Sequence, residues 1–597
     1  MKTPSLRRQQ KPLPVAAPAG AGELLSPRAT FIAAGILIAG VFAIYGPALN
    51  FQFILDDHRF VADPRLQSPG HLWEYFTSYA WAQVAGGPLC FYRPVFVLWL
   101  RLNFILGGTS SWAWHLLSTA KHVLVAVLLG LLVWKLLRDR VAALIAGTLF
   151  ALHPAQTESV AWVTVPDPLM SAAVLGTLLL YLGYADRVSI ENQPQIGKFQ
   201  KKSRGQLRGQ SMGNSSATAA AHSLIWMIGS VAACLAALMA KETAVVLPAV
   251  LFAMVLVMGV GKPESSSKPS REVESMGRAA EFRIRLLSAF HRTVPIVAIT
   301  VVYLLMRLNA LKGQLSPPTQ HLPWSTVLLS WPATLWFYVK VLFWPVRSRA
   351  FADPVLSDTF SLRGVVLPAL GVCFAAIILG VGCAWAWRKA RRDLPEREAT
   401  GVERALLLGT SLLVLPILLV LNLNALNPGD FLHGRYTYLP LAGLMLLLAT
   451  GWHLANKGRI VLLSAVVLVA IAFGVLTVKQ ESAWKDDLTV FTVAHQDAPH
   501  NAPVAQHLAD THVQAALALD EEDRCDEAMP IFEQVIQQYP QDWFAWAGRG
   551  ECLFKLNDLP GAEQSLRRAS ELSHEPRVTE QWQQLRAKMG LPAATPD

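Results

Sequence analysis

Long apolar runs alternate with polar connections over the first 480 or so residues of this 597-residue chain, and the pattern breaks after Val478. A bilayer core about 30 Å thick takes roughly 20 apolar residues per helical crossing. On that unit the runs predict eleven membrane helices, near 30–49, 112–137, 140–153, 168–185, 222–240, 243–260, 293–311, 362–387, 403–425, 436–455 and 459–478. One further apolar stretch, 323–345, is Trp-rich, bounded by Pro and carries Pro332 and Lys340. Counting it as a crossing would place Arg388, Arg391 and Arg392 on the wrong side of the charge pattern, so it reads as an interfacial or re-entrant helix.

That charge pattern fixes the expected sides. Basic groups recur in every second loop: Lys135/Arg138/Arg140, Lys198/Lys201/Lys202/Arg204/Arg208, Arg271/Arg278/Arg283/Arg285/Arg292, Arg388/Lys389/Arg391/Arg392 and Lys457/Arg459. Positive loops mark the cytoplasmic side. Residues 1–28 then form a basic, Pro-rich cytoplasmic tail before an uncleaved anchor, and 29–479 a membrane domain whose first outer loop is 50–111. An odd number of crossings leaves 480–597 outside, in the periplasm of a bacterial inner membrane. The low-complexity stretches 201–219 and 262–275 read as flexible inner loops.

Composition narrows the class further. With 53% hydrophobic residues, 16% charged and 19 Trp, a soluble domain with a single core is excluded. The net charge of +10 lies in clusters between apolar runs, so it reports topology, and no nucleic-acid partner is implied. Six Cys lie at no zinc-ligand spacing and suggest no disulfide framework.

After Val478 the pattern becomes polar and helical with a repeat. Ala528, Phe532 and Val535 return as Ala562, Leu566 and Ala569, each 34 residues later, and Pro540 closes the first unit. This is the tetratricopeptide period, one helix pair per repeat. The first unit carries an insertion near 517–524, and 579–588 reads as a capping helix. Two repeats fall short of the roughly three that stand alone, so the domain is expected to pack on the helix at 484–495 or on the membrane domain.

Candidate chemistry lies at the outer ends of several spans. Asp56 and Asp57 follow the first span, where charge near lipid is costly and usually has a purpose; solvated loop acids are the plain alternative. His153 and Glu158 end the third span, and a lone His there is more often a cap than a catalyst. Lys241 and Glu242 break two apolar runs with almost no loop, which a tight-turn ion pair would also explain. Arg93 and the group His433, Arg435 and Tyr436 bring guanidinium groups to the same face, unless they snorkel. Carboxylates, a His and two Arg on one face can hold a phosphate-linked donor and activate a hydroxyl. A divalent cation is compatible with this many acids, but no ligand spacing demands one.

Several ordered segments carry a resemblance. Leu55-Asp56-Asp57 is followed by Tyr92-Arg93-Pro94-Val95, Trp114-His115-Leu116-Leu117 with His122, and Leu149-Phe150-Ala151-Leu152-His153-Pro154 running into Thr157-Glu158-Ser159-Val160-Ala161-Trp162. Then come Ala240-Lys241-Glu242-Thr243-Ala244 with Pro248, Gly434-Arg435-Tyr436-Thr437-Tyr438-Leu439-Pro440, and Trp484 with Pro499-His500-Asn501. In this order, and joined to repeats, they resemble the transmembrane and tetratricopeptide repeat-containing glycosyltransferases. The resemblance implies an all-α, polytopic GT-C-type fold. It implies transfer, with inversion, of a sugar from a polyprenyl-phosphate donor to a hydroxyl acceptor on the outer face. An acidic residue of the first outer loop, here Asp56 or Asp57, would be the catalytic acid/base. Arg93, Lys241 or Arg435 would neutralise the departing phosphate, while His153, Glu158, Glu242, His433 and Tyr436 shape the donor pocket. Eukaryotic members resemble protein O-mannosyltransferases; few repeats and long Ser/Lys-rich inner loops depart from that pattern. The sugar therefore stays open between mannose and another, and the acceptor between protein Ser/Thr and a glycan.

Two other functions fit parts of the chain. A non-enzymatic membrane scaffold recruiting peptides or proteins would explain the repeats but not the charges at many span ends. A transporter would favour Lys121-His122 within the second span, yet spans 30–49, 362–387 and 459–478 carry no mid-depth ionisable residue and the halves show no repeat.

Overall fold

The structure, a computed structural model, describes residues 25–82, 91–191, 212–258, 278–313, 321–346, 351–353, 355–426, 432–455, 457–573 and 575–593. The tail before residue 25, the stretch 262–275 and several basic groups named above (Lys198 to Arg208, Arg271) lie outside the described residues. Among the described residues every regular element is helical. We number the principal helices in chain order: α1 Pro27–Ile44, α2 Ser111–Leu137, α3 Arg140–Leu152, α4 Asp167–Glu191, α5 Met212–Ala240, α6 Leu247–Met258, α7 Arg278–Ala310, α8 Trp324–Phe343, α9 Leu367–Asp393, α10 Glu396–Val420, α11 Tyr438–Leu454 and α12 Arg459–Glu481. After them come α13 Asp487–Asp497, α14 Ala502–Glu521, α15 Cys525–Gln538, α16 Trp543–Lys555, α17 Leu559–Ser573 and α18 Pro576–Lys588. The start of α5 at Met212 places residues 212–219, expected in a loop, inside a helix.

Ten of these helices are long and apolar enough to cross a membrane, and the chain is a multi-pass membrane protein. Local signals set their ends: Ser26 caps α1 by accepting from Ala29 N at 3.2 Å ahead of Pro27, and Asp139 caps α3 through Ala142 N at 3.0 Å. Helices pack closely where side chains are small. A Cβ on Gly443 of α11 would strike the carbonyl of Gly409 on α10, so these two backbones meet because both positions are glycine.

Contacts sort the helix ends into two sets. At one end Lys135 pairs with Asp186 at 2.8 Å, Arg140 donates to Leu25 O at 3.1 Å, and His453 lies 3.2 Å from Asp139, with Arg459 donating to His453 O. At the other end lie the chain after α1, the loop after α3 and the segment after α12, where Gln52 N donates to Lys485 O at 2.9 Å and Thr477 donates to Leu152 O at 2.8 Å. The described basic clusters thus gather opposite the acid pair.

Helix α8, apolar for 20 residues, has both ends at the acid end. Leu322 N donates to Asn424, which follows α10, while Leu342 O accepts from His153 after α3 and Pro345 O accepts from Gln480 of α12. It therefore lies across that end, as the interfacial reading expects, although its length alone would suit a crossing. The short helices α3 and α6 take the places of two expected crossings; α3 connects the two ends in 13 residues.

The described part of the chain between α1 and α2 is compact. Phe60, Leu66, Tyr75, Trp81, Phe96 and Trp114 form its core, and buried Arg65 is held by Asp63 and by the carbonyls of Tyr79 and Ala80. Beyond α12 the repeats stack as α14/α15 and α16/α17 with α18 as cap, and Ala528, Phe532, Val535, Ala562, Leu566 and Ala569 are all buried. The insertion in the first unit lengthens α14 to 20 residues. Phe491 of α13 stacks between Phe351 and His507, and Asn501 donates to Ala352 O at 3.0 Å, so the repeats dock on the membrane domain.

Candidate functional site

The acid pair sits on a tight turn. Asp57 N donates to Ile54 O at 2.9 Å, and Leu55 between them has φ +52° and ψ −123°. That is the first central position of a type II′ turn, where glycine is normally required. The turn gives the two carboxylates different surroundings. Asp57 is fully buried, its Oδ2 accepting from Ile54 N at 3.2 Å and its Oδ1 from Thr164 N at 3.2 Å and Thr164 Oγ1 at 2.6 Å. Burial pushes the Asp57 carboxyl up to about 7, against those hydrogen bonds and with a further upward push from Asp56. Asp56, half-buried, opens the short helix Asp56–Val61.

Beside the pair runs a chain of alternating charge. Lys121 of α2 is buried, donates to Val165 O at 3.2 Å and feels both Asp57 and Asp167. Asp167, at the start of α4, holds Lys241 Nζ with both oxygens at 2.6 Å. Lys241 lies 4.9 Å from the Tyr436 ring centroid; burial pulls its ammonium below the usual range, with Asp167 pulling the other way. The next residue, Glu242, accepts from Arg93 Nε at 3.0 Å and Nη2 at 2.9 Å. Burial alone would raise Glu242, but the positive charges of Arg93 and Arg307 hold it below the ordinary carboxylate range.

A second acid is clamped next to this chain. Glu158, buried on the helix Thr157–Ala161, lies 3.0 Å from His433 Nδ1 and accepts from Arg435 N at 2.9 Å, with Arg435 Nη1 at 3.5 Å. The Arg435 guanidinium stacks 4.7 Å from the Trp162 ring centroid, two residues before Thr164, which holds Asp57. Between α1, α3 and α12 an apolar groove of about 570 Å³, lined by Ile44, Leu152, Val467, Gly474, Val475 and Val478, ends at the same face.

The tetratricopeptide repeat family model matches residues 521–589. Over 524 residues the chain is 26% identical to "Protein O-mannosyl-transferase Tmtc1" of Drosophila melanogaster, covering 77% of this chain and 57% of that one. Its homologues are TMTC protein O-mannosyltransferases. The mouse TMTC3 enzyme is 23% identical over 564 residues, 90% of this chain and 54% of its own. Human TMTC1 is 24% identical over 549 residues, 85% and 55%. The chain spans about half the length of the curated O-mannosyltransferase relatives it matches. No solved structure matches it.

Of the residues singled out from sequence, Asp56, Asp57, Arg93, Glu158, Lys241, Glu242, His433, Arg435 and Tyr436 meet at this end. His153 lies at the same end with both ring nitrogens engaged by backbone: Nε2 donates to Leu342 O at 3.1 Å, and Nδ1 accepts from Ala155 N at 3.2 Å. It caps the loop, and its ring packs 4.6 Å from Phe473. Lys121 lies within the second apolar run and Asp167 directly before the fourth, but nothing in their spacing joins them to Lys241 and Asp57. Thr164 and Asp487 gave no signal.

For a metal, three acids of this end are engaged otherwise: Asp167 by Lys241, Glu242 by Arg93, and Glu158 by His433 and Arg435. Among the described residues Asp520, Cys525 and Cys552 of the repeats have ligand atoms within 4.8 Å of one another. There Asp520 Oδ1 already accepts from both thiols, at 3.0 and 3.1 Å, with Lys555 Nζ 3.1 Å away.

Proposed function

We propose that this chain is an inverting membrane glycosyltransferase, which moves a sugar from a lipid-phosphate donor onto a hydroxyl acceptor at the end of the bundle that carries Asp56 and Asp57. The observation that carries this reading is the convergence there of the acid pair with Arg93, Lys241 and Arg435 from separate parts of the chain. In the reaction the acceptor oxygen bonds to the sugar's anomeric carbon as the bond from that carbon to the donor phosphate oxygen breaks. The hydroxyl proton goes to a carboxylate, and the phosphate leaves on its lipid. We assign the proton step to Asp56, half-buried at the start of its short helix, while Asp57, accepting from Thr164 and Ile54, closes the turn beside it. Arg93, Lys241 and Arg435 supply positive charge where the leaving phosphate gains negative charge. The groove at Ile44, Leu152 and Val478 suits the prenyl chain of the donor.

The sign of the loops supports an extracytoplasmic site, with the repeats on the same side as the acid pair. The names of the relatives favour mannose as the sugar and a protein hydroxyl as the acceptor, with the repeats as a surface for protein partners. Incubating the purified full chain with labelled polyprenyl-phosphate mannose and a membrane protein extract tests the reading. Label in protein, absent with the Asp56→Asn variant, is the expected result; no product from any polyprenyl-phosphate sugar would sink it.

A further inference from the structure

We propose that Asp487 is a positioning residue of the transfer site, holding the 54–57 turn in the conformation that presents Asp56. This rests on the acid pair being the reactive centre. It makes the segment that leaves the last membrane helix for the repeats a working part of that centre.

Asp487 is the first residue of α13, whose N-cap Asp486 accepts from Thr489 N at 2.8 Å. Its Oδ1 accepts from Leu55 N at 2.8 Å, and its Oδ2 lies 2.9 Å from His58 Nε2. One carboxylate, some 430 residues downstream in sequence, therefore grips the residue before the acid pair and the residue after it. Gln52 N, bonded to Lys485 O at 2.9 Å, adds a third tie between the same two segments. Trp484 anchors that segment, buried among Phe51, Ile54 and Trp162.

The grip falls where the backbone is strained. Leu55 sits at φ +52°, which a side chain with a Cβ adopts only when its surroundings enforce it. Ile54 is fully buried below the turn, and Asp57 closes it from inside through Ile54 N. From outside, the Leu55 N–H is held by Asp487. Without that acceptor the turn can relax toward negative φ, which swings the Asp56 carboxylate away from the acceptor hydroxyl. The Asp487 side chain is 29% exposed and that of His58 55%, so the contact sits at a rim and its loss leaves the core intact.

The test uses the full chain in detergent or nanodiscs with a polyprenyl-phosphate sugar and its acceptor. Asp487→Ala should lower kcat about tenfold or more, since small misplacements of a reacting group cost that much, with the donor KM unchanged within about twofold. Asp487→Asn keeps an acceptor for Leu55 N and should lose less. Adding Leu55→Gly to Asp487→Ala should recover much of the loss, because glycine holds this φ without strain. Full activity in Asp487→Ala, or a loss that Leu55→Gly does not touch, overturns the proposal. Hydrogen exchange over residues 52–60 reads the same grip without turnover and should speed up in Asp487→Ala; unchanged protection also overturns it. If the wild-type chain transfers no sugar while Asp487→Ala still speeds exchange over residues 52–60, the transferase reading fails and only the grip of Asp487 on the turn stands.

Discussion

The Thr164 hydroxyl donates to Asp57 Oδ1 at 2.6 Å and the Thr164 amide to the same oxygen at 3.2 Å, so the second acid of the pair is tied to the loop before α4. Asp56→Asn should therefore cut transfer by about 10²-fold or more, the usual scale of general acid–base loss, with the melting temperature unchanged. Asp57→Asn puts an amide donor against N–H groups and should lower the melting temperature. Comparing rate and thermal unfolding in both variants checks the division; full activity in Asp56→Asn would refute it.

Asp57 also predicts how stability varies with pH. Its folded pKa, raised by burial to about 7, exceeds the unfolded value of 3.8, so between these limits the native state binds more protons than the unfolded one. Stability from this group is fully present below the unfolded value and is lost as pH rises through 7, by up to roughly 4 kcal/mol. Melting curves of the solubilised protein from pH 4 to 8 should show a fall that Asp57→Asn flattens. An identical slope in the variant would place the titration elsewhere.

Arg93 and Glu242 are 13% and 19% exposed, so each leaves a poorly solvated charge when its partner goes. Arg93→Ala alone should destabilise by about 3 kcal/mol, the scale for breaking a buried pair. Adding Glu242→Gln should restore most of that stability. If Arg93 also meets the donor phosphate, the double variant keeps a raised KM for the lipid donor. Stability and KM recovering together would leave Arg93 a purely structural role.

Arg435 is held in place by stacking on Trp162 and by Glu158. Arg435→Ala should raise the donor KM by about tenfold, the loss of one charge-assisted contact, while the acceptor KM stays put. Glu158→Gln should reproduce part of that effect by loosening Arg435 and His433. Initial rates over both substrates separate the two; an acceptor-side effect would count against phosphate recognition by Arg435.

Much of the architecture was legible because it is local. Runs of apolar residues mark helices that must meet lipid, and Pro332, Lys340, the flanking Pro residues and the side required by Arg388, Arg391 and Arg392 set α8 apart, whose ends meet His153 and Asn424. The period joining Phe532 to Leu566 marked the repeats for the same reason. Individual charges such as Glu158, Lys241 and Arg435 stood out because burial near lipid is costly. What they bond to could not be read, since partners lie from 74 residues apart, as for Lys241 and Asp167, to 277, as for Arg435 and Glu158.

From its sequence alone the chain determined its class: a bundle of membrane helices, basic at one end and acidic at the other, with a short helical repeat array behind it. Those features follow from hydrophobic period and loop charge, which each segment carries by itself. Only the tertiary structure decided that Asp57 and not Asp56 is tied to Thr164, that Lys121, Asp167 and Lys241 form one line of charge, and that Asp487 reaches back to Leu55. These depend on how distant segments pack, where a change of a few ångströms decides whether a buried charge is paired, and no periodicity in the chain records that distance.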